Sequence, residues 1–457
     1  MKKLLCVILA LVIFLSLISC EKKYNGGETA AIDPETNLEV KVEDKNEQKP
    51  GQTAEKEEST DQTPFLTVKG VDISKYKIVY FSSCEEKVKD EAERLAEYIK
   101  SVFAIEVDIV VDPEDEIERS IVLSDTLPED GSSIKIDTFT AAIQDMHGSI
   151  WISATNEHTL KAAIDKIIAD ATPKAAGATV YLNYAGNNKA LVEAEELGEL
   201  LKVMTYNVKN GYVTSERQTN TVDDIISFMP DTIGVQEFNL RWYNIFENKG
   251  VFENYAFVGE QRYGDRDREA NDNEYSAVLY RKDKFRLVDS GTYWLSETPN
   301  VPDTKLAESK YVRIMTYAVL ERISDGVKFV HVNTHLNSTP SLNLRQMEIL
   351  VSLVNEKIYA KHGELPTYFT GDFNAAPQSQ SNDGYKYLIS TGTEDSRFIA
   401  EITSNENTIK NGGMIDHCIV SKGDFIVTKF DVGDEKQSTE TSNHFPVYVE
   451  MYIIPKK

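Results

Sequence analysis

Residues 368–377 read YFTGDFNAAP, an alternating run that stops on an acid and an amide bracketing one phenylalanine. In an extended strand, side chains two apart point to the same side. The spacing therefore predicts that Asp372 and Asn374 share one face while Phe373 packs on the other. Asp, Asn, Gly and Pro also favour turns, so Gly371 to Pro377 could be no more than a strand-to-turn exit. Other strands of the same chain weigh between the two.

Several of them stop on the same kind of group. MTYNV presents Asn207, VQEFN presents Glu237, MIDHC presents Asp416, and SNHFP presents Asn443 and His444. The HVNTHLN run places His331, Asn333, His335 and Asn337 on one face and Val332, Thr334 and Leu336 on the other. Each alone is an ordinary strand end. Together they are polar groups at the edge of a rigid scaffold, which is where sites are built. Carboxylate and amide oxygens without thiolates suit Mg²⁺, Mn²⁺ or Ca²⁺ rather than zinc. Histidines beside such a cation suit proton transfer and stabilisation of a phosphoryl transition state.

From about residue 196 to Lys457, strands outnumber helices: LKVMTYNV, TIGVQE, YSAVLYR, IMTYAVLE, VKFVHVNTHLN, TYFTGDFN, MIDHCIVS, FIVTKFDV and FPVYVEMYII, with helices such as TVDDIISFM and SLNLRQMEILVSLVNEKI between them. Short alternating strands with scattered helices predict packed sheets covered by helices. Residues 64–188 mix both elements and predict a smaller α+β domain. There, Val88, Ala92, Leu95, Ala96 and Ile99 recur at helical spacing, and Leu160, Ile164, Ile167 and Ile168 line a second helix capped by Thr155 or Asn156. No catalytic motif gathers in this domain, so an accessory or spacer role is expected. Its EAERLAEYI to LKAAIDKII run resembles the non-catalytic N-terminal domain that precedes some bacterial glycoside hydrolases.

The chain has 457 residues, 41% of them hydrophobic, which supports real cores and excludes disorder of the whole. The net charge is −25, but most of the excess acid lies before residue 199, away from the polar strand ends. Residues 21–63 are charged and nearly free of aromatics, as expected of a linker that cannot offset chain entropy. Residues 1–20, MKKLLCVILALVIFLSLISC, join two lysines to an apolar run from Leu4 to Ile18. That is an export signal, and the run is short of the ~20 residues needed to span a bilayer. Its LISC end resembles a bacterial lipobox, which implies cleavage before Cys20, lipidation of that cysteine and an extracytoplasmic, membrane-anchored lipoprotein. With Cys6 removed and Cys20 lipidated, Cys84 and Cys418 make neither a disulfide framework nor a zinc site.

The ordered set TYNV, VQE, YSAVLYR, NTHL, GDFN, IDH and SNHFPV closely resembles the endonuclease/exonuclease/phosphatase superfamily over about residues 199–457. The resemblance implies an α+β chain whose catalytic domain, residues 196–457, is a four-layer α/β sandwich of two mainly antiparallel sheets with outer helices. It implies a Mg²⁺-dependent hydrolase of phosphate esters, with Mn²⁺ as the alternative ion and a phosphodiesterase or nuclease as the leading activity. Position by position, Glu237 would be the principal metal ligand, assisted by Asn207. Asp372 and Asn374 would orient the attacking water and the phosphate. His335 and His444 would be the catalytic histidines, Glu274 the carboxylate orienting His335, and Asp416 the one orienting His444. Arg313 would line the phosphate site. One departure stands out: the family usually has an acid before the last histidine, and here it is Asn443. An amide oxygen still coordinates a hard cation, but one negative charge is missing. A weakened binding module of the same fold, and a phosphomonoesterase on inositol or sugar phosphates, are the alternatives. Arg262, Arg266 and Arg268 are interleaved with acids and predict a solvated loop; nucleic acid is a candidate partner without a basic track to mark it. A monomer is the default expectation.

Overall fold

The computed structural model describes residues 63–456, apart from 83–84, 115–116, 126–135, 147, 185–189, 196, 212, 380–381, 411 and 434–441. The signal expected over 1–20 and all but the last residue of the linker expected over 21–63 lie outside the described residues.

The smaller domain has a six-stranded sheet ordered Ile109–Val111, Lys77–Tyr80, Ser120–Ser124, Ser149–Ser153, Thr140–Met146, Ala190–Glu193. The first four strands are parallel, and Thr140–Met146 runs antiparallel to both of its neighbours. Helices Glu85–Phe103 and Glu157–Ala171 bury Val88, Ala92, Leu95, Ile99, Leu160, Ile164 and Ile167 in one core with this sheet. Asn156 is the cap of the second helix, accepting from the Thr159 amide at 3.0 Å. A small sheet of Val71–Asp72, Phe65–Val68 and Thr179–Leu182 stands beside it.

The larger domain stacks two mixed sheets. One has seven strands ordered Tyr255–Val258, Tyr275–Arg281, Thr232–Phe238, Leu201–Asn207, Val447–Ile453, Phe425–Val432, Ile402–Thr403. The other has six, ordered Phe285–Trp294, Ile314–Arg322, Lys328–His335, Thr367–Asp372, Asp416–Ser421, Thr393–Asp395. Val203, Val278, Leu320, Phe329, Tyr368 and Val449 fill the space between them. Helices Ser215–Phe228 and Leu240–Asn248 cover the first sheet, and Pro340–Leu353 covers the second. This gives four layers, helix on sheet on sheet on helix. The ten-residue Phe285–Trp294 strand was not marked by alternation, because its burial pattern is irregular and a bulge interrupts its pairing.

Most neighbours are antiparallel, but each sheet holds a parallel pair at its centre: Leu201–Asn207 with Thr232–Phe238, and Lys328–His335 with Thr367–Asp372. A helix connects the members of each pair, so both pairs end on the same side as their partners and expose their carboxyl ends together. A polar bridge ties the sheets behind those ends. Asn333 donates to the carbonyls of Val235 (2.9 Å) and Ala277 (2.8 Å) and accepts from Gln236 (2.7 Å) and Thr370 (3.1 Å). Gly234 lies under this bridge, where a Cβ would collide with Asn333 and Thr370. Thus His331 and Asn333 of the polar stripe serve the core, His331 bonding Thr370 at 2.7 Å. Asn337 is buried as well: it donates to Ser309 at 3.0 Å and accepts from the Thr339 amide at 2.9 Å. Of that stripe only His335 reaches the site.

Candidate active site

The backbone sets the site before any side chain acts. Asn207 and His335 are the last residues of their strands, and His335 lies opposite Asp372 in the parallel register. Asp372 in turn lies opposite Asp416 across the antiparallel pair. Two carboxylates face to face are costly unless cations or protons intervene. Glu237 arrives differently. The pairing of its strand slips between Val235 and Phe238, and Glu237 has a left-handed backbone with φ 52°. That conformation is uncommon outside glycine and asparagine and clusters at functional sites.

His444 and Asp416 form the tightest contact. Nδ1 of His444 donates to Asp416 Oδ2 at 2.9 Å and Oδ1 at 3.1 Å. Burial pulls the imidazole down, but Asp416 outweighs it, with Asp372 and Glu237 adding, and the net shift raises it to about 9. His444 is therefore an imidazolium at neutral pH, its Nε2 3.7 Å from Asp372 Oδ2. Burial and Asp416 push the Asp372 carboxyl up to about 6, against His444 and the bonds from Asn374 and Asn207. Nε2 of His335 stands 3.5 Å from the same Asp372 oxygen. Burial, then Arg313, His444 and Arg262, hold His335 well below the usual range, so it is neutral.

Asn207 joins the two halves. Its Nδ2 donates to Glu237 Oε1 at 3.1 Å and to Asp372 Oδ2 at 3.0 Å, while its oxygen accepts from the Lys209 amide at 2.9 Å. The amide nitrogen, rather than the oxygen expected to assist a metal, faces the carboxylates, so Asn207 positions them. Asn210, unmarked in the sequence except by the Asn-Gly turn it opens, donates its backbone N–H to Glu237 Oε2 at 2.9 Å. The donor set fits a hard divalent cation: Glu237 and Asp372 present carboxylate oxygens on either side of one amide, with no thiolate. The closest ionisable group of the described residues is Asp372, Asp416 and His444, with ligand atoms within 4.8 Å. His444 has given Nδ1 to Asp416 and carries a proton, so this trio is a proton-handling line rather than a cage. Asn443 is half-buried just before His444 and accepts from the Lys410 amide through its own carbonyl at 2.9 Å.

Three expectations are corrected by the geometry. Asn374 does not continue the alternation: its φ is 51°, its N–H donates to Asp372 Oδ1 at 2.9 Å and its Nδ2 to the Leu336 carbonyl at 3.0 Å. The strand stops at Asp372, and a turn, not the pleat, places the carboxamide. Phe373 is buried behind it, its ring 5.2 Å from that of His417. Glu274 does not orient His335. Its Oε2 accepts from Arg262 Nη1 at 2.8 Å and its Oε1 from Asn210, while His335 Nδ1 has no hydrogen-bond partner among the described residues. Burial, against Arg262, pushes the Glu274 carboxyl up to about 7. Arg262 is not solvated either; it is 3% exposed and claims the carboxylate intended for the histidine. No spacing in EQRYGDRDREAND marks it apart from Arg266 and Arg268, which are exposed and paired with acids. Arg313 is 8% exposed, with Glu274, Arg262, Asp372 and Glu237 as its charged neighbours and no ion pair among the described residues.

The endonuclease/exonuclease/phosphatase family model matches residues 204–444, and the chain belongs to that family, whose members are hydrolases acting on phosphate esters. Similar solved structures include a family member from Bacteroides vulgatus, 22% identical over 56% of this chain and 100% of that one, with a TM-score of 0.49. A second, from Bacteroides thetaiotaomicron, is 26% identical over 56% and 99%, with a TM-score of 0.48. A mannosyl-6-phosphatase from Bacteroides thetaiotaomicron is 25% identical over 55% and 99%, with a TM-score of 0.47. No curated protein matches the chain.

Proposed function

We propose that this protein is a Mg²⁺-dependent phosphate-ester hydrolase, Mn²⁺ serving in its place, displayed outside the cytoplasm on a membrane through a lipid on Cys20. The observation that carries the chemistry is the Asp416–His444–Asp372 line, in which one buried imidazolium and one buried carboxylate face a common space. Glu237 is the principal holder of the cation, with Asp372 beside it. Bound there, the cation supplies positive charge to a phosphate oxygen and lowers the pKa of a water. Asp372 orients the attacking water and takes its proton as the new P–O bond forms. The ester P–O bond breaks in line, and the leaving oxygen takes the proton from His444 Nε2. Asp416 holds that ring in place and keeps it charged between turnovers. Neutral His335 donates a hydrogen bond to a phosphate oxygen, with Arg313 as the cation beside it.

The test uses the full chain, solubilised, with bis(p-nitrophenyl) phosphate and p-nitrophenyl phosphate, with Mg²⁺ or Mn²⁺, and with EDTA. Metal-dependent turnover of either substrate, lost in His444→Ala, is the expected result. Silence of the folded protein on both would leave a binding module of the same fold. The anchor is tested apart: Cys20→Ala should move the protein from the membrane fraction to the soluble one, and an unchanged distribution would remove the lipid.

A further inference from the structure

Arg262, Tyr311 and Arg313 form one wall beside the catalytic groups. The Arg262 guanidinium lies 5.8 Å, that of Arg313 5.4 Å and the Lys310 ammonium 4.9 Å from the centre of the Tyr311 ring. One ring gathers three cations, and among the described residues Glu274 is the only buried carboxylate bonded to any of them. The Nε atoms of both arginines are buried without a hydrogen-bond partner among the described residues. A desolvated guanidinium without a counter-charge is expensive, and Arg313, which has no ion pair among the described residues, is more than nine-tenths buried.

The wall is built in rather than draped. The Arg262 carbonyl accepts from Trp294 Nε1 at 2.6 Å and from the Asp303 amide at 3.1 Å, and its N–H donates to the Glu274 carbonyl at 2.9 Å. Trp294, Val312 and Ile314 pack beneath it with Tyr263. Three exposed arginines outside the wall are paired with acids. Arg266 pairs with Asp303 at 2.6 Å and Asp267 at 3.0 Å, Arg268 with Asp265 at 3.3 Å, and Arg345 with Glu348 at 3.1 Å. These three arginines therefore add little free positive charge beside the wall.

We infer that the wall selects a terminal phosphomonoester of a small molecule over an internal phosphodiester of a polymer. This rests on the phosphate-ester reading above and names its substrate class. A monoester phosphate carries nearly two charges and three free oxygens, enough to engage both guanidinium forks. A diester carries one charge and two free oxygens. It also needs an exit for its second arm, and a polymer needs a cationic path along the surface.

Binding separates this inference from the hydrolase reading. Titration calorimetry at pH 8 with Mg²⁺ would compare methyl phosphate with dimethyl phosphate, and p-nitrophenyl phosphate hydrolysis would run beside it. The expected result is at least tenfold tighter binding of methyl phosphate, with that preference reduced at least fivefold in Arg313→Lys. Lys310→Ala, at an exposed position that does not endanger folding, should reduce it two- to threefold. Equal binding of the two probes, or a preference unchanged in both variants, would overturn the inference while a hydrolase acting on diesters stood. Selective binding without any turnover would keep the wall's role and remove the hydrolysis.

Discussion

The two strand–helix–strand units of the sandwich bring their groups to the site by different routes. In the Lys328–His335 and Thr367–Asp372 unit, simple register is enough: His335, Asp372 and Asp416 are consecutive neighbours across three strands. In the Leu201–Asn207 and Thr232–Phe238 unit, register delivers Gln236 opposite Asn207, and Gln236 turns inward to Asn333. Glu237 reaches the site only because the strand bulges and its backbone turns left-handed there. A regular pairing places groups that must meet each other, as Asp372 lies opposite Asp416. A bulge places one carboxylate that must meet something from outside. The Leu201–Asn207 and Thr232–Phe238 unit is therefore assigned to the cation, and the Lys328–His335 and Thr367–Asp372 unit to protons.

The largest effect should come from breaking the proton side. Asp416→Asn removes the carboxylate that raises His444, and general acid–base contributions of this kind are worth about 10²- to 10⁴-fold in rate. The pH profile gives the sharper reading. Activity needs Asp372 as a carboxylate and His444 as an imidazolium, so the rate should rise as pH passes about 6 and fall as it passes about 9. A bound cation favours the Asp372 anion and moves the rising limb to lower pH. In Asp416→Asn the falling limb should move down toward the ordinary histidine range. A falling limb that stays in place would show that another group sets it and would undo the division of labour.

The metal side should respond in a different quantity. Glu237→Gln keeps the shape and the hydrogen bonds from Asn207 and Asn210 in part, but removes a charge. The Mg²⁺ concentration for half-maximal activity should rise about 10- to 100-fold, with the pH limbs in place once the metal is saturating. Asp372→Asn should lose turnover even at saturating metal. If the two variants lose the same quantity, the units are not specialised.

Periodicity shows why some of this was legible in the sequence and some was not. Strands such as LKVMTYN and TYFTGD are buried on alternating or both faces, so composition and turn residues mark their ends, and the end residues are the site. The Asp416–His444 contact was implied by the family resemblance of the ordered motifs, not by periodicity. Arg262 did not follow, because its burial depends on a loop folding back onto Trp294 and Glu274, and neighbouring acids made it look solvated. That fold-back is also why Glu274 could not be placed on His335. Likewise Asn207 was expected to assist at the metal, yet its nitrogen faces the carboxylates here, a choice fixed by groups far away in sequence.

The smallest effect tests the junction between the two units. Asn443 sits one residue before His444, and Ser442 ties this segment to the unit that holds Glu237 by donating to the Asn207 carbonyl at 2.8 Å. In the chain, Asn443 therefore lies between a tie to the cation side and the histidine of the proton side. Asn443→Asp adds a charge without changing size. If that charge acts on the cation, the Mg²⁺ requirement should fall about three- to tenfold, since affinity for a hard cation follows ligand charge. If it acts on His444 instead, it adds a second acid beside the imidazolium, and the falling limb of the pH profile should move upward with the metal requirement unchanged. The two outcomes assign Asn443 to one unit or the other, and a variant that moves neither quantity would place it in neither.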